Sequence, residues 1–290
     1  MKTNTPTTEL IQKRYSCRSF TGSAIAASKR DMLEAFLTEE STTPFGSKPR
    51  FTVFAATDKD NDALKGLGTY GFIKGATAFI TGAVEKNDYN LEDYGYMMEK
   101  NILYATDIGI STCWLGGTFK KSIFAEKAGV NNNEYIPAVA AAGNAAPKKR
   151  FVDVALRAAA GSARRKSFHE LFFMKNFEIP LEKESAGEYA VLFEMVQKAP
   201  SASNKQPWRI VWDKEANSFH FYLQRSKKYY ERNKKMFGLS DMQRIDMGIA
   251  MCHFELAGNE KGIKGLWEVN DPDIANLPEA TEYLVTRKIV

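Results

Sequence analysis

The 22 residues DYGYMMEKNILYATDIGISTCW (93–114) align without a gap over DMGIAMCHFELAGNEKGIKGLW (246–267). Identities fall at Asp93/Asp246, Gly95/Gly248, Met98/Met251, Leu103/Leu256, Gly109/Gly262, Ile110/Ile263 and Trp114/Trp267. Two amphipathic helices share apolar spacing for packing reasons alone, which accounts for the Met and Leu pairs. It does not account for paired Asp, Gly and Trp. The pattern therefore reads as an internal repeat, each copy a helix laid on a sheet. Gly109 and Gly262 are expected to close the two helices.

The repeat extends outward. KRDMLEAFLTEESTTPFGSKPRFTVF and YAVLFEMVQKAPSASNKQPWRIVW both run helix, polar Ser/Pro loop, strand. A short helix is expected in TTELIQKRYS, opening at a threonine cap. A second is expected in SKRDMLEAFLTEES, with Ser28 and Asp31 as a capping pair and Met32, Leu33, Phe36 and Leu37 as its apolar stripe. RFTVFAA, ATAFITGAV and YIPAVAAAGN are β-branched, aromatic or small-residue runs of strand length. RIVWDKEANSFHFYL reads as a hairpin turning at KEAN. Alternating helices and strands predict a layered fold with a sheet between helices.

The two copies are unequally equipped. PSASNKQPW (200–208) has its full complement of polar side chains, whereas the first half carries only STTPFGSKPRF there. Conversely, the first half opens with KRYSCRSF, and nothing similar precedes the second. Complementary loss of this kind points to one shared site between the halves.

Composition narrows the function classes. The chain has 290 residues, 44% hydrophobic and 26% charged, with a formal net charge of +5, as in ordinary globular proteins. Basic residues are dispersed, so no nucleic-acid footprint is expected. No run approaches a membrane span, and MKTNTPTTEL lacks the apolar core of a signal peptide. Cys17, Cys113 and Cys252 have no CxxC spacing, which predicts reduced thiols and a cytosolic address. His169, His220 and His253 lack metal-ligand spacing, so no metal site is expected.

Several segments could carry chemistry, and each also has a plain structural reading. In RYSCRSF, residues Arg14, Ser16 and Arg18 alternate, so an extended backbone would put two guanidiniums and a hydroxyl on one face. That set suits a phosphate, although a solvated basic turn has the same sequence. ARRK brings Arg164, Arg165 and Lys166 to a helix start, where anions are favoured. It can equally be surface charge. In PSASNKQPW, Ser201, Ser203 and Asn204 could read a flat heterocycle or a sugar chain, or simply satisfy their own backbone. Gly116–Gly117 lets a backbone N–H approach a ligand, or makes a tight turn. GLGTYG (66–71) matches G-x-G-x-x-G but lacks the strand before and helix after that a dinucleotide fingerprint needs. Met97, Met98, Met247 and Met251 read as core.

Together these segments resemble the FMN-dependent nitroreductase family. RYSCRSF is similar to the family's opening Arg-Arg-Ser-x-Arg-x-Phe, with Tyr15 for the second arginine. PSASNKQPW nearly completes its Pro-Ser-x-x-Asn-x-Gln-Pro-Trp loop. GISTCWLGG is similar to its Gly-Leu-Gly-x-x-Trp-x-Gly-Gly, and ARRKSFHEL resembles a late basic stretch in which Ala163 replaces lysine. The resemblance implies an α+β three-layer fold with a central mixed sheet. Since the opening basic segment and the loop lie in different halves, it implies the branch in which residues 1–172 and 173–290 pack as an intramolecular pseudo-dimer, monomeric as a chain.

It implies one FMN, with Arg14, Ser16, Arg18 and Arg165 at the phosphate and ribityl chain. Pro200, Ser201, Ser203 and Asn204 would line the flavin, and Leu115, Gly116 and Gly117 would lie along its ring. NADH or NADPH would deliver hydride to flavin N5, and a small electron-poor acceptor such as a nitroaromatic or quinone would be reduced. No protein acid or base is demanded. A flavin-binding sensor without turnover, or another flavin reaction such as reductive dehalogenation or flavin breakdown, fits the same residues. So does a non-flavin fold carrying the motif by chance.

Overall fold

The computed structural model describes residues 1–57, 64, 67–69, 71–147, 164–226, 229 and 240–290. Gly66 and Tyr70 of GLGTYG, and Ala163 of the late basic stretch, lie outside these residues. The helices are α1 (Thr7–Lys13), α2 (Ala27–Thr38), α3 (Asn90–Asp107), α4 (Lys121–Lys127), α5 (Phe168–Leu171), α6 (Ala190–Lys198) and α7 (Met242–Glu260). The strands are β1 (Arg50–Ala55), β2 (Ala78–Glu85), β3 (Ser111–Leu115), β4 (Glu134–Tyr135), β5 (Val139–Gly143), β6 (Phe172–Met174), β7 (Trp208–Asp213), β8 (Ser218–Gln224), β9 (Gly265–Glu268) and β10 (Thr281–Ile289).

Each half builds its own sheet. The first runs β1-β2-β5-β3, with β4 on β2, and its pairs are antiparallel. The second runs β6-β7-β8-β10-β9 and is mixed, because β6 lies parallel to β7. Without β4 and β6 the two sheets share one order: the helix–loop–strand unit leads into a hairpin partner, and the strand after the long helix sits at the far edge. Strand β6, which opens at Phe172, occupies a place beside β7 that has no counterpart beside β1 among the described residues. The 172/173 boundary thus falls within a strand of the second sheet.

Side-chain alternation explains how the first sheet is covered on both faces. Ala78, Ile80, Ala140 and Ala142 join the cluster shared with the long helices. Phe79, Val139, Ala141, Cys113 and Leu115 face a second cluster with Phe119 and Phe124 of the α4 region. The small residues of β5 leave room for helix α3, which is buried on nearly every side, as an interior helix must be.

Helices α3 and α7 cross at the repeat's paired glycines. A Cβ on Gly95 would lie 2.2 Å from the Ile245 carbonyl oxygen, and one on Gly248 would lie 1.9 Å from that of Glu92. Gly248 and Ile245 are the repeat equivalents of Gly95 and Glu92, so the contact is two-fold symmetric. The helix ends match as well. Gly109 and Gly262 both have φ +75°. The Ile110 N–H donates to Ala105 O at 2.8 Å, and that of Ile263 to Gly258 O at 2.9 Å. Both are the closing bond of a Schellman motif.

Two local expectations are corrected. Helix α2 starts at Ala27 with Ala26 at the cap and no side-chain cap bond. Ser28 therefore lies inside the first turn, and Asp31 pairs with Arg30 at 2.7 Å instead. Met32 is 43% exposed and lies off the buried stripe of Leu33, Phe36 and Leu37. Helix α1 is not opened by a threonine: Pro6 is its cap. Thr7 Oγ1 and the Thr8 N–H donate to the Glu260 carboxylate at 2.8 and 2.9 Å. A carboxylate from the end of α7 thus serves the start of α1. The hairpin turns where expected, with Glu215 and Ala216 N–H groups donating to Asp213 Oδ1 at 3.0 Å each.

Candidate functional site: a cleft between the two halves

The segment after α1 is pinned in extended form beside β3. Ser16 bridges Thr112 in parallel, and the Cys17 N–H donates to Thr112 O at 2.8 Å. Cys17 and Ser19 are buried on one side of this segment. Ser16 and Arg18 face the other side, into a cleft of about 1030 Å³. Ligand pockets run to roughly 300–1,000 Å³, so this one is large.

Both halves supply the walls. From the first come Ser16, Arg18, Phe72, Trp114, the Leu115–Gly116–Gly117 turn and residues 118–122. From the second come Pro200, Ser201, Ala202, Ser203, Tyr229, Met242, Ile245, Asp246 and Ile249. Eight of the eleven residues singled out from sequence therefore meet here. Arg14, Arg165 and Asn204 are not among the lining residues.

The 200–208 loop has an irregular backbone held by its own side chains. Ser203, Asn204 and Gln206 have φ of 49°, 53° and 48°, a region non-glycine residues rarely enter. Ser201 Oγ accepts from the Gln206 N–H at 2.9 Å, and Gln206 Nε2 donates to Asn204 O at 3.1 Å. The Ala202 N–H donates to Asp246 Oδ1 at 2.9 Å. Asn204 turns outward, accepting from Arg165 at 2.5 Å and donating to Arg164 O at 2.7 Å. The Lys166 N–H donates to Gln206 Oε1 at 2.9 Å. The polar richness of the loop thus has two physical uses, bracing strained backbone and docking the basic segment 164–166.

That segment is electrostatically unusual. Burial, with Arg14 nearby, lowers the Arg165 pKa to about 10. Burial, with Arg209 and Lys205, lowers that of Lys166 to about 8. Arg14 itself lies 3.3 Å from the fully buried Glu99. Glu99 also accepts from Trp114 Nε1 at 2.8 Å and lies 3.0 Å from His253 Nε2. Burial pushes the Glu99 carboxyl up, but Arg14, His253 and Trp114 outweigh it and leave it below its ordinary value. This network joins the N-terminal segment, α3, β3 and α7 behind the cleft wall.

A family model described as "Putative TM nitroreductase" matches residues 6–258. The chain belongs to the nitroreductase family. A solved structure of the same description from Thermotoga maritima superposes on this nitroreductase-family chain with TM-score 0.60 at 17% identity, covering 100% of this chain and 96% of that one. At that identity the likeness concerns fold. A solved structure described as a nitroreductase in complex with FMN, from Desulfovibrio desulfuricans, matches 52% of this chain and 96% of its own, with TM-score 0.38 and 20% identity. A mutant of the FMN- and NADPH-dependent nitroreductase NfnB from sphigopyxis sp. strain HMH matches 52% of this chain and 97% of its own, with TM-score 0.39 and 11% identity. No curated protein matches.

In this nitroreductase-family chain, sequence reasoning missed one wall of the cleft. Met242, Ile245, Asp246 and Ile249 stand at i, i+3, i+4 and i+7 on the first turns of α7. The periodicity was legible, but an apolar stripe carrying one aspartate reads as core until the facing element is known. Phe72, Trp114 and Tyr229 were missed as well. Tyr229 is tied to the loop through Ser203, hydroxyl to hydroxyl at 3.1 Å. Among the described residues no His/Cys/Asp/Glu cluster could hold a metal ion, and no helix is long and apolar enough to cross a membrane.

Proposed function

We propose that this chain is an FMN-dependent NAD(P)H oxidoreductase that reduces small, flat, electron-poor acceptors such as nitroaromatics or quinones. The observation that carries the reading is the convergence of the two half-motifs, Ser16/Arg18 and Pro200–Ser203, on one cleft. The residues present fit the group. Gly116 and Gly117 offer backbone close to a planar ring, and Phe72, Trp114, Met242 and Ile249 offer apolar surface. Beyond the lining residues, Arg165 is partly buried near Arg14, two like charges whose repulsion a bound anion would relieve.

Bound FMN would supply the redox chemistry, accepting hydride from a nicotinamide and passing reducing equivalents to the acceptor. The chain's residues would bind and orient. Arg18 and Ser16 would hold the phosphate and ribityl chain, with Arg14 and Arg165 adding positive charge from behind the lining residues. Ser201 uses Oγ as an acceptor for Gln206, so its hydroxyl proton is available to a ligand. Pro200, Ser203, Leu115 and the glycine pair would shape the ring site. Asn204 would act indirectly, by holding Arg165. The three cysteines, all buried and in no disulfide among the described residues, suit a reducing cytosol. We read the two halves, the second taking in the whole of β6, as products of tandem duplication.

Purified protein should be yellow or should take up added FMN. Arg18→Ala and Ser201→Ala, in opposite halves, should each weaken FMN by about tenfold or more, as expected for lost hydrogen bonds to a charged or buried polar ligand. Unchanged affinity in either variant, measured by flavin fluorescence titration, would remove the shared-site reading.

A further inference from the structure

The repeat supplies an internal comparison. Asp93 and Asp246 are equivalent, and each caps the Ser/Pro loop of its own half. In the first half both Asp93 oxygens are used: Oδ1 accepts from the Phe45 N–H at 3.0 Å, and Oδ2 from the Ser47 N–H at 2.8 Å. In the second half Oδ1 accepts from Ala202, while Oδ2 is buried with no hydrogen-bond partner among the described residues. Asp246 is 1% exposed, yet it lines the cleft. The left-handed turn at Ser203 and Asn204 redirects the loop, so no second N–H reaches the carboxyl. The surroundings differ too. Position 242 of the repeat is Met242, which lines the cleft, whereas its equivalent, Tyr89, stacks on Phe45 at 4.4 Å.

A buried carboxylate oxygen without a donor is costly, and protonation removes the cost by converting it to a hydroxyl. The protonated group then needs an acceptor. We propose that Asp246 is a ligand-binding residue, held as a neutral carboxylic acid, whose Oδ2–H donates a hydrogen bond to a carbonyl oxygen or ring nitrogen of the heterocycle in the cleft. This rests on the flavin reading of that cleft and adds to it a donor from α7. Burial, and secondarily Asp241 at the start of the same helix, raises the Asp246 pKa well above its ordinary value, which agrees with the geometry.

Asp93 is the control. Both aspartates brace a loop, but only Asp246 is assigned a ligand contact. FMN is titrated into wild type, Asp246→Asn, Asp246→Ala and Asp93→Ala. Asparagine can still accept from Ala202 and donate with its other atom, so its affinity should stay within about threefold of wild type, and alanine at 246 should lose about tenfold or more. Asp93→Ala should cost stability while leaving FMN affinity unchanged. Infrared difference spectra of wild type against Asp246→Asn should show the C=O stretch of a protonated carboxyl, and that band should shift when FMN is added. The shift is a signature that loop bracing alone would not produce.

The proposal is overturned if Asp246→Ala binds FMN as wild type does, or if the band is absent or unmoved by FMN. Should Asp246→Ala fail to fold, the infrared comparison with Asp246→Asn still decides. If wild type and all variants alike bind no FMN, the flavin reading itself falls, and the donor role falls with it.

Discussion

At the scale of single residues, Glu99 shows how buried charge is managed. It is fully buried, yet Arg14, His253 and Trp114 all converge on it. Removing one partner of such a group leaves the others uncompensated. Glu99→Gln should therefore destabilise the protein by about 3 kcal/mol near neutral pH. The pH dependence follows from the lowered pKa. A carboxyl whose folded value lies below its unfolded value contributes stability above the latter and loses it as pH falls through the folded value. The gap between wild type and Glu99→Gln should be full at neutral pH and shrink below about 4.5, read from urea midpoints across the acid range. A gap constant with pH would mean that Glu99 acts by shape alone. The same variant should alter the fluorescence of Trp114, whose indole it orients.

At the scale of elements, the α3/α7 crossing depends on two glycines rather than on apolar bulk. The atoms a Cβ would meet at Gly95 and Gly248 are backbone atoms of the opposite helix, which cannot turn aside as a side chain can. Gly95→Ala and Gly248→Ala should each cost about 1–3 kcal/mol or more, despite alanine's better helix propensity. Because the contact is symmetric, the two penalties should be similar. They should also be non-additive in the double variant, since one helix displacement relieves both. Denaturant midpoints of the two single variants and the double variant test this. Gly116 contrasts with them: the atoms it would meet belong to the flexible end of Met242, so Gly116→Ala should fold normally and act on the cleft instead.

At the scale of the whole molecule, the two sheets share a strand order but the halves differ at the site. One cleft is lined by Ser16 and Arg18 from the first half and Pro200–Ser203 from the second. At the position related by the repeat, Phe45 and Tyr89 stack on one another, and Arg244 pairs with Glu92 at 2.6 Å. Titration should therefore saturate at one FMN per chain. A second equivalent of comparable affinity would mean that the stacked pair opens and that both clefts serve.

Much of this architecture was legible along the chain, because its determinants are local or periodic. The paired Asp, Gly and Trp of 93–114 and 246–267 marked the two long helices and their glycine closures. Alternation in RYSCRSF placed Ser16 and Arg18 on one face, and PSASNKQPW announced an irregular loop. Tertiary structure decided the rest, since it depends on which elements face each other. The carboxylate of Glu99 meets His253 across 154 positions of sequence, Arg14 is drawn behind the wall, and Asn204 grips Arg165. Asp246 differs from Asp93 in how many N–H groups its loop brings within reach and in facing a cleft where Asp93 has a stacked pair nearby. A residue's type and spacing state what it can bond, but only the packed neighbours determine which of its bonds are left for a ligand.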